Sequence, residues 1–148
     1  MSPQTIKIII TAVLFLHGLA HGNAFLALLR QGGGSSPILP VRSWLFPNIS
    51  MRAAAMLASV FWLLSTIGFI AAALSFWGIL FAGIDWRGLA VFSAIISTLG
   101  SVLFSGIWPG APNRKLSNLD TAISLVVNIA VLVVLLGLHW PPYEMFNK

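Results

Sequence analysis

Two imidazoles four residues apart, His17 and His21, stand inside the apolar stretch LFLHGLAHGNAF at 14–25. On a helix, positions i and i+4 share a face. The pair could offer two nitrogens to a metal, one to a haem iron, a relay for protons, or hydrogen bonds to neighbouring helices. Each chemistry demands partners. A zinc site needs further Cys, His, Asp or Glu ligands. This chain has no cysteine and only three acids, Asp85, Asp120 and Glu144, none of them within an apolar run. No metal site is expected. Bis-histidine haem needs two rings facing each other at one depth, whereas His17 and His21 share a face. His139 lies roughly 12 Å from the level of His17 by helix rise. Haem would therefore require one histidine and an open sixth position, or a second copy of the chain.

Other chemistries are thinner. No glycine-rich phosphate loop and no Gly-x-Ser-x-Gly elbow occur, and no carboxylate within an apolar run can orient a histidine. The residue types weigh against an enzyme. Without cysteine there are no disulfides, thiolate nucleophiles or iron–sulfur clusters.

The elements that position these residues are read from the charges. Only 7% of the 148 residues are charged and 58% are hydrophobic, against about 25% charged in soluble domains. The chain is expected to be an all-α, integral membrane four-helix bundle with antiparallel neighbours, one transmembrane domain over 1–148. A span needs about 20 apolar residues. The uncharged gaps Lys7–Arg30, Arg52–Asp85, Arg87–Arg114 and Asp120–Glu144 each hold one. Breakers trim them to spans of about 8–29, 52–80, 87–108 and 120–140, with an interfacial loop at 30–51. The far end of the second, Gly78 to Gly83, is expected to tilt out or unwind. The first apolar run continues to Leu29, so it reads as a retained span rather than a cleaved signal.

Ser50 and Asp85 are expected to cap the second and third helices, and Ser117 with Asp120 to open the fourth. QGGGSSP at 31–37 reads as a flexible loop. Trp44, Leu45, Phe46 and Trp108 suit one headgroup region, and Trp77, Trp86, Trp140 and Tyr143 the other, with His139 anchored beside Trp140. The glycosylation-like NIS at 48–50 abuts a span. Loops one and three hold Arg30, Arg42, Arg52, Arg114 and Lys115, and the opposite side Lys7, Arg87 and Lys148. The positive-inside rule then puts both termini outside the plasma membrane. The net charge of +5 reflects this flanking and implies no nucleic-acid partner.

Small residues mark contact faces in membrane bundles. Ser93, Ser97, Ser101 and Ser105 form a four-residue ladder, read as a packing seam with hydroxyls bonded back to their own helix. Gly18/Gly22, Ala54/Ala58 and Gly68/Ala72 are further small pairs. Placed by depth, every helix brings a polar group to the middle: His17, Ser65 with Thr66, Ser97 and Asn128. An unpartnered buried polar group costs about 1–3 kcal/mol. His17, Ser97 and Asn128 are therefore expected to meet in the interior and share hydrogen bonds, while Leu16, Leu19 and Leu26 face lipid.

With LHGLAHG in the first span, MRAAAMLASVFWLLSTIGFIAAAL in the second and SLVVNIAVLVVLL in the fourth, the chain resembles small four-span bacterial membrane proteins of the broad DoxX-like kind. Some of these are associated with quinone-linked redox complexes. The resemblance implies an accessory role and assigns no catalytic residue. The expectation is a protein that acts by binding. It would be an accessory subunit of a larger membrane complex, or a binder of a lipophilic ligand or cofactor such as haem or quinone. The candidate site is His17 and His21, supported by Ser97 and Asn128. Two alternatives remain open: a membrane enzyme or proton-coupled carrier using the same histidines, and a purely structural partner. The bilayer, a larger complex or a second copy are the expected partners.

Overall fold

The computed structural model describes residues 1–31, 41–80, 85–104, 108 and 111–146. Four helices run in sequence: α1 Pro3–Gln31, α2 Met51–Ser75, α3 Trp86–Leu103 and α4 Arg114–Leu132. All four are long and apolar enough to cross a membrane. Consecutive helices are antiparallel neighbours, α1 on α2, α2 on α3 and α3 on α4. The protein is an all-α, multi-pass membrane four-helix bundle.

Local chemistry explains the boundaries. Ser50 accepts from the Ala53 amide to start α2, and Asp85 accepts from the Arg87 and Gly88 amides to start α3, as their side chains imply. α1 begins at Pro3, five residues earlier than the charge pattern places it. Ser2 accepts from the Thr5 amide, Pro3 suits the first turn, and the Lys7 ammonium lies over the Phe76 and Trp77 rings instead of ending the helix.

α2 stops at Ser75, short of the expected 80. Gly78 takes φ +69°. Its amide bonds the Ser75 carbonyl, and the Ile79 amide bonds the Leu74 carbonyl, a Schellman cap that only glycine makes at low cost. α3 ends at Leu103 rather than 108. α4 begins at Arg114 rather than 120, because Asn113, not Ser117, is the cap: its side chain accepts from the Leu116 amide. Ser117 is buried and accepts from the Trp108 amide. α4 widens into a π-helical turn, Val133–Gly137. The chain then passes His139 at positive φ and a cis Trp140–Pro141 bond into a short 3-10 turn, Tyr143–Met145. The glycine-rich stretch at 32–40, Ser105 and the segment 81–84 lie outside the described residues.

Lipid tails are as apolar as leucine, so close packing and interhelical hydrogen bonds hold the bundle. A Cβ added at Gly18 would stand 3.2 Å from that of Phe69, and one at Gly22 would stand 3.3 Å from a Thr66 methyl. These glycines seat α1 on α2. Gly68 meets Ser93, and Gly100 meets Phe61 and Trp62, which seats α2 on α3. Leu16, Leu19 and Leu26 point outward, each more than 40% exposed. Trp44 and Phe46 are exposed, and the Trp44 indole donates to the Val102 carbonyl at 2.6 Å.

Candidate functional site

α1 contributes His17 and His21, α3 contributes Ser97, and α4 contributes Asn128. All four side chains are buried, and they form a closed hydrogen-bonded ring. His17 Nε2 lies 2.8 Å from Asn128 Oδ1. Asn128 Nδ2 lies 2.6 Å from Ser97 Oγ. Ser97 Oγ lies 2.8 Å from His21 Nε2, and His21 Nε2 lies 3.3 Å from His17 Nε2. The meeting of His17, Ser97 and Asn128 expected from depth is therefore present, and His21 joins it.

One hydrogen assignment satisfies every contact. An amide oxygen only accepts, so His17 donates from Nε2 to Asn128 Oδ1 and, more weakly, toward His21 Nε2. Asn128 donates its amide hydrogen to Ser97, and the Ser97 hydroxyl donates to His21 Nε2. Three hydrogens thus serve four contacts. His17 then carries its hydrogen on Nε2 and His21 on Nδ1. Both rings are neutral in this arrangement, the economical state for imidazole inside a bilayer. His21 Nδ1 is buried and has no hydrogen-bond partner among the described residues.

Aromatic side chains wall the ring. Phe69 stacks parallel to His21 with centroids 6.0 Å apart, and its edge meets His17 at 4.8 Å. Trp62 stands 6.4 Å from His21 and Trp108 stands 5.2 Å from it. Trp108 corrects the sequence reading. It is buried against His21 and Trp62 instead of lying in the headgroups, because the Ser117 hydroxyl holds its amide and turns it inward. The wall residues Trp62 and Phe69 share a buried face of α2 with Ser65 and Ala72. Their 3.6-residue periodicity is the signal that could have found them.

α2 adds no member to the ring. Ser65 donates to the Phe61 carbonyl and Thr66 to the Trp62 carbonyl, each back-bonded to its own helix. The serine ladder divides. Ser93 back-bonds to Leu89, Ser97 joins the ring, and Ser101 is buried without a hydrogen-bond partner among the described residues. His139 is exposed beyond the π turn.

The geometry does not accommodate haem. An axial ligand needs a free Nε2 lone pair and a flat space before it. Here both Nε2 atoms point at each other, at Ser97 and at Asn128, and rings pack the flanks of His21. A quinone carbonyl could take the His17 Nε2 hydrogen only by displacing Asn128.

The space that exists lies beside the ring. The α1 and α4 backbones hardly approach each other. Between them a crevice of about 250 Å³ is lined by Ile10 and Leu14 of α1, Val127, Ala130 and Val131 of α4, and Leu135 of the π turn. Its inner end reaches the level of the ring on α4, where Val126 and Val127 adjoin Asn128, and lies one turn from it on α1, where Leu14 precedes His17 by three residues. A second cavity of about 340 Å³ sits where α1 and α3 begin and α2 ends, walled by Lys7, Phe76, Trp77, Trp86, Arg87 and Phe146. Sequence reasoning missed both, because each depends on the distance between elements far apart in the chain. No family model, no curated protein and no solved structure matches this chain.

Proposed function

We propose that this protein acts by binding a lipophilic molecule between α1 and α4. The observation that carries the reading is the apolar crevice of about 250 Å³ on that seam, whose inner end lies beside the His17–Asn128 hydrogen bond. Concave apolar sites with a few placed polar groups are the usual form of small-molecule pockets. The crevice suits an acyl or isoprenoid chain entering from the bilayer. His17, His21, Ser97 and Asn128 lie beside the crevice and outside its lining, and the His17–Asn128 bond fixes the spacing of α1 and α4 there. On this reading the histidines position the site without reacting. The likeness to DoxX-like proteins adds an accessory role in the plasma membrane, beside a larger complex that performs any quinone chemistry. Both termini face outward by the positive-inside count.

The test is the full chain purified in mild detergent, its bound lipids extracted and identified by mass spectrometry. The expected result is one chain-bearing lipophile retained per protein, and its loss in Ala130→Trp, which fills the crevice. Absence of any stoichiometric lipophile from the native sequence would end the proposal.

A structural reading has one observation in its favour: hydrogen bonds join His17, His21, Ser97 and Asn128 to one another across three helices. It predicts that Ala130→Trp changes no bound species and that Asn128→Leu weakens the fold alone.

A further inference from the structure

The two cavities are neighbours, and together they describe an amphiphile. Trp86 lines both. Arg87 walls the second cavity and donates to the carbonyl of Pro141, which lines the first. The two spaces therefore share a wall made by the start of α3 and the chain segment after α4.

Their chemistries are opposite. The α1–α4 crevice is lined by apolar and aromatic side chains. The second cavity carries two cations, Lys7 and Arg87, and no carboxylate among its described lining residues. Lys7 Nζ lies 4.5 Å from the centroid of Trp77 and 5.3 Å from that of Phe76. These ring faces hold the ammonium at the cavity wall. Trp77 is itself held, its indole donating to Thr11 at 2.7 Å. Arg87 is buried and tied to Pro141, so it fixes the wall, while Lys7 is the cation placed to meet an anion. The nearest acid in sequence, Asp85, caps α3 through the Arg87 and Gly88 amides. Both cavities lie at the bundle end where α1 begins and α2 ends, the level at which headgroups sit above acyl chains.

We propose that the ligand is an anionic amphiphile, with its acyl chain in the α1–α4 crevice and its phosphate in the Lys7–Arg87 cavity. This deepens the lipophile-binding reading and rests on it. The headgroup chemistry, a phosphate monoanion or diester, could come from a membrane lipid or from free phosphate, and the crevice commits the site to the lipid.

Native mass spectrometry of the full chain tests this. The detergent-solubilised protein is mixed with equal amounts of dioleoyl phosphatidylglycerol and dioleoyl phosphatidylcholine. The glycerol lipid should be retained about tenfold over the choline lipid, in line with the roughly 1 kcal/mol or more that a basic residue adds toward anionic lipid. Lys7→Gln should cut that preference severalfold. Ala130→Trp should remove both adducts while helix content by circular dichroism is preserved. An excess of inorganic phosphate should not displace the glycerol lipid. Equal retention of the two lipids, both lost in Ala130→Trp, would overturn the anionic class and leave the crevice reading standing. Displacement by phosphate alone, with Ala130→Trp inert, would make the basic cavity a free-anion site and overturn the amphiphile. Retention of neither lipid would overturn both readings.

Discussion

His17 of α1 and Asn128 of α4 are joined by a 2.8 Å hydrogen bond across a seam where the two backbones otherwise hardly approach. The bond closes the helix sequence into a bundle at its middle. Toward the ends of α2 and α4 the same seam is open as the apolar crevice. Removing Asn128 should therefore weaken both the closure and the ring. Asn128→Leu leaves His17 and Ser97 without their shared partner, and a loss of about 1–3 kcal/mol is expected. Ser97→Ala combined with Asn128→Leu should cost less than the sum of the two, with a coupling of about 0.5–2 kcal/mol. Reversible unfolding in mixed micelles measures this, and strictly additive losses would mean that the ring is not a unit.

The hydrogen order within the ring is directly observable. Nitrogen-15 shifts of the imidazoles should report His17 protonated on Nε2 and His21 on Nδ1. Asn128→Leu should release the His17 preference, while Phe69→Leu should leave both tautomers as they are. The reverse pair of tautomers in the native chain would invert the donor order assigned above.

The start of α4 separates two caps. Asn113 accepts from the Leu116 amide, so Asn113→Ala should lower stability by about 0.5–2 kcal/mol. Asp120 lies within the helix and caps nothing, and Asp120→Asn should change stability by less than about 0.5 kcal/mol. Thermal unfolding of both variants in one detergent gives the comparison. A larger loss at Asp120 would restore the later helix start.

The α2–α3 seam depends on Gly68, whose hypothetical Cβ collides with the Ser93 side chain. Gly68→Ala should overpack the seam and cost about 1–3 kcal/mol. Ser93→Gly in the same chain should recover much of it by clearing the space. Failure of the second substitution to rescue the first would place the strain elsewhere.

Depth and face were the legible part of this molecule. Counting from charge to charge put His17, Ser97 and Asn128 at one level, and helical periodicity turned His17 and His21 toward small neighbours. A buried polar group needs a partner, and few exist here, so their meeting could be read ahead of the fold. Caps with one strong local candidate, Ser50 and Asp85, were equally readable. Asn113 was obscured by the later Ser117–Asp120 pattern, which resembles a start signal although Ser117 is occupied with the Trp108 amide. Trp108 itself looked interfacial because tryptophan near a span end usually is, and only the tertiary turn sends it inward. Lys7 and Arg87 read as flanking charges, and their shared cavity is a product of three helix ends meeting. The crevice follows from a π turn and from the distance between the first and last helices, neither of which leaves a local signature.

The unequal seams carry a consequence for lipid contact. α4 with its π turn buries 22% of its spanning window inside the bundle, against 39% for each of the other three helices. It is the least anchored of the four, held to α1 chiefly by one side-chain bond. A helix with fewer protein neighbours turns more of its surface to lipid tails, so among the four α4 gives the largest fraction of its face to the bilayer.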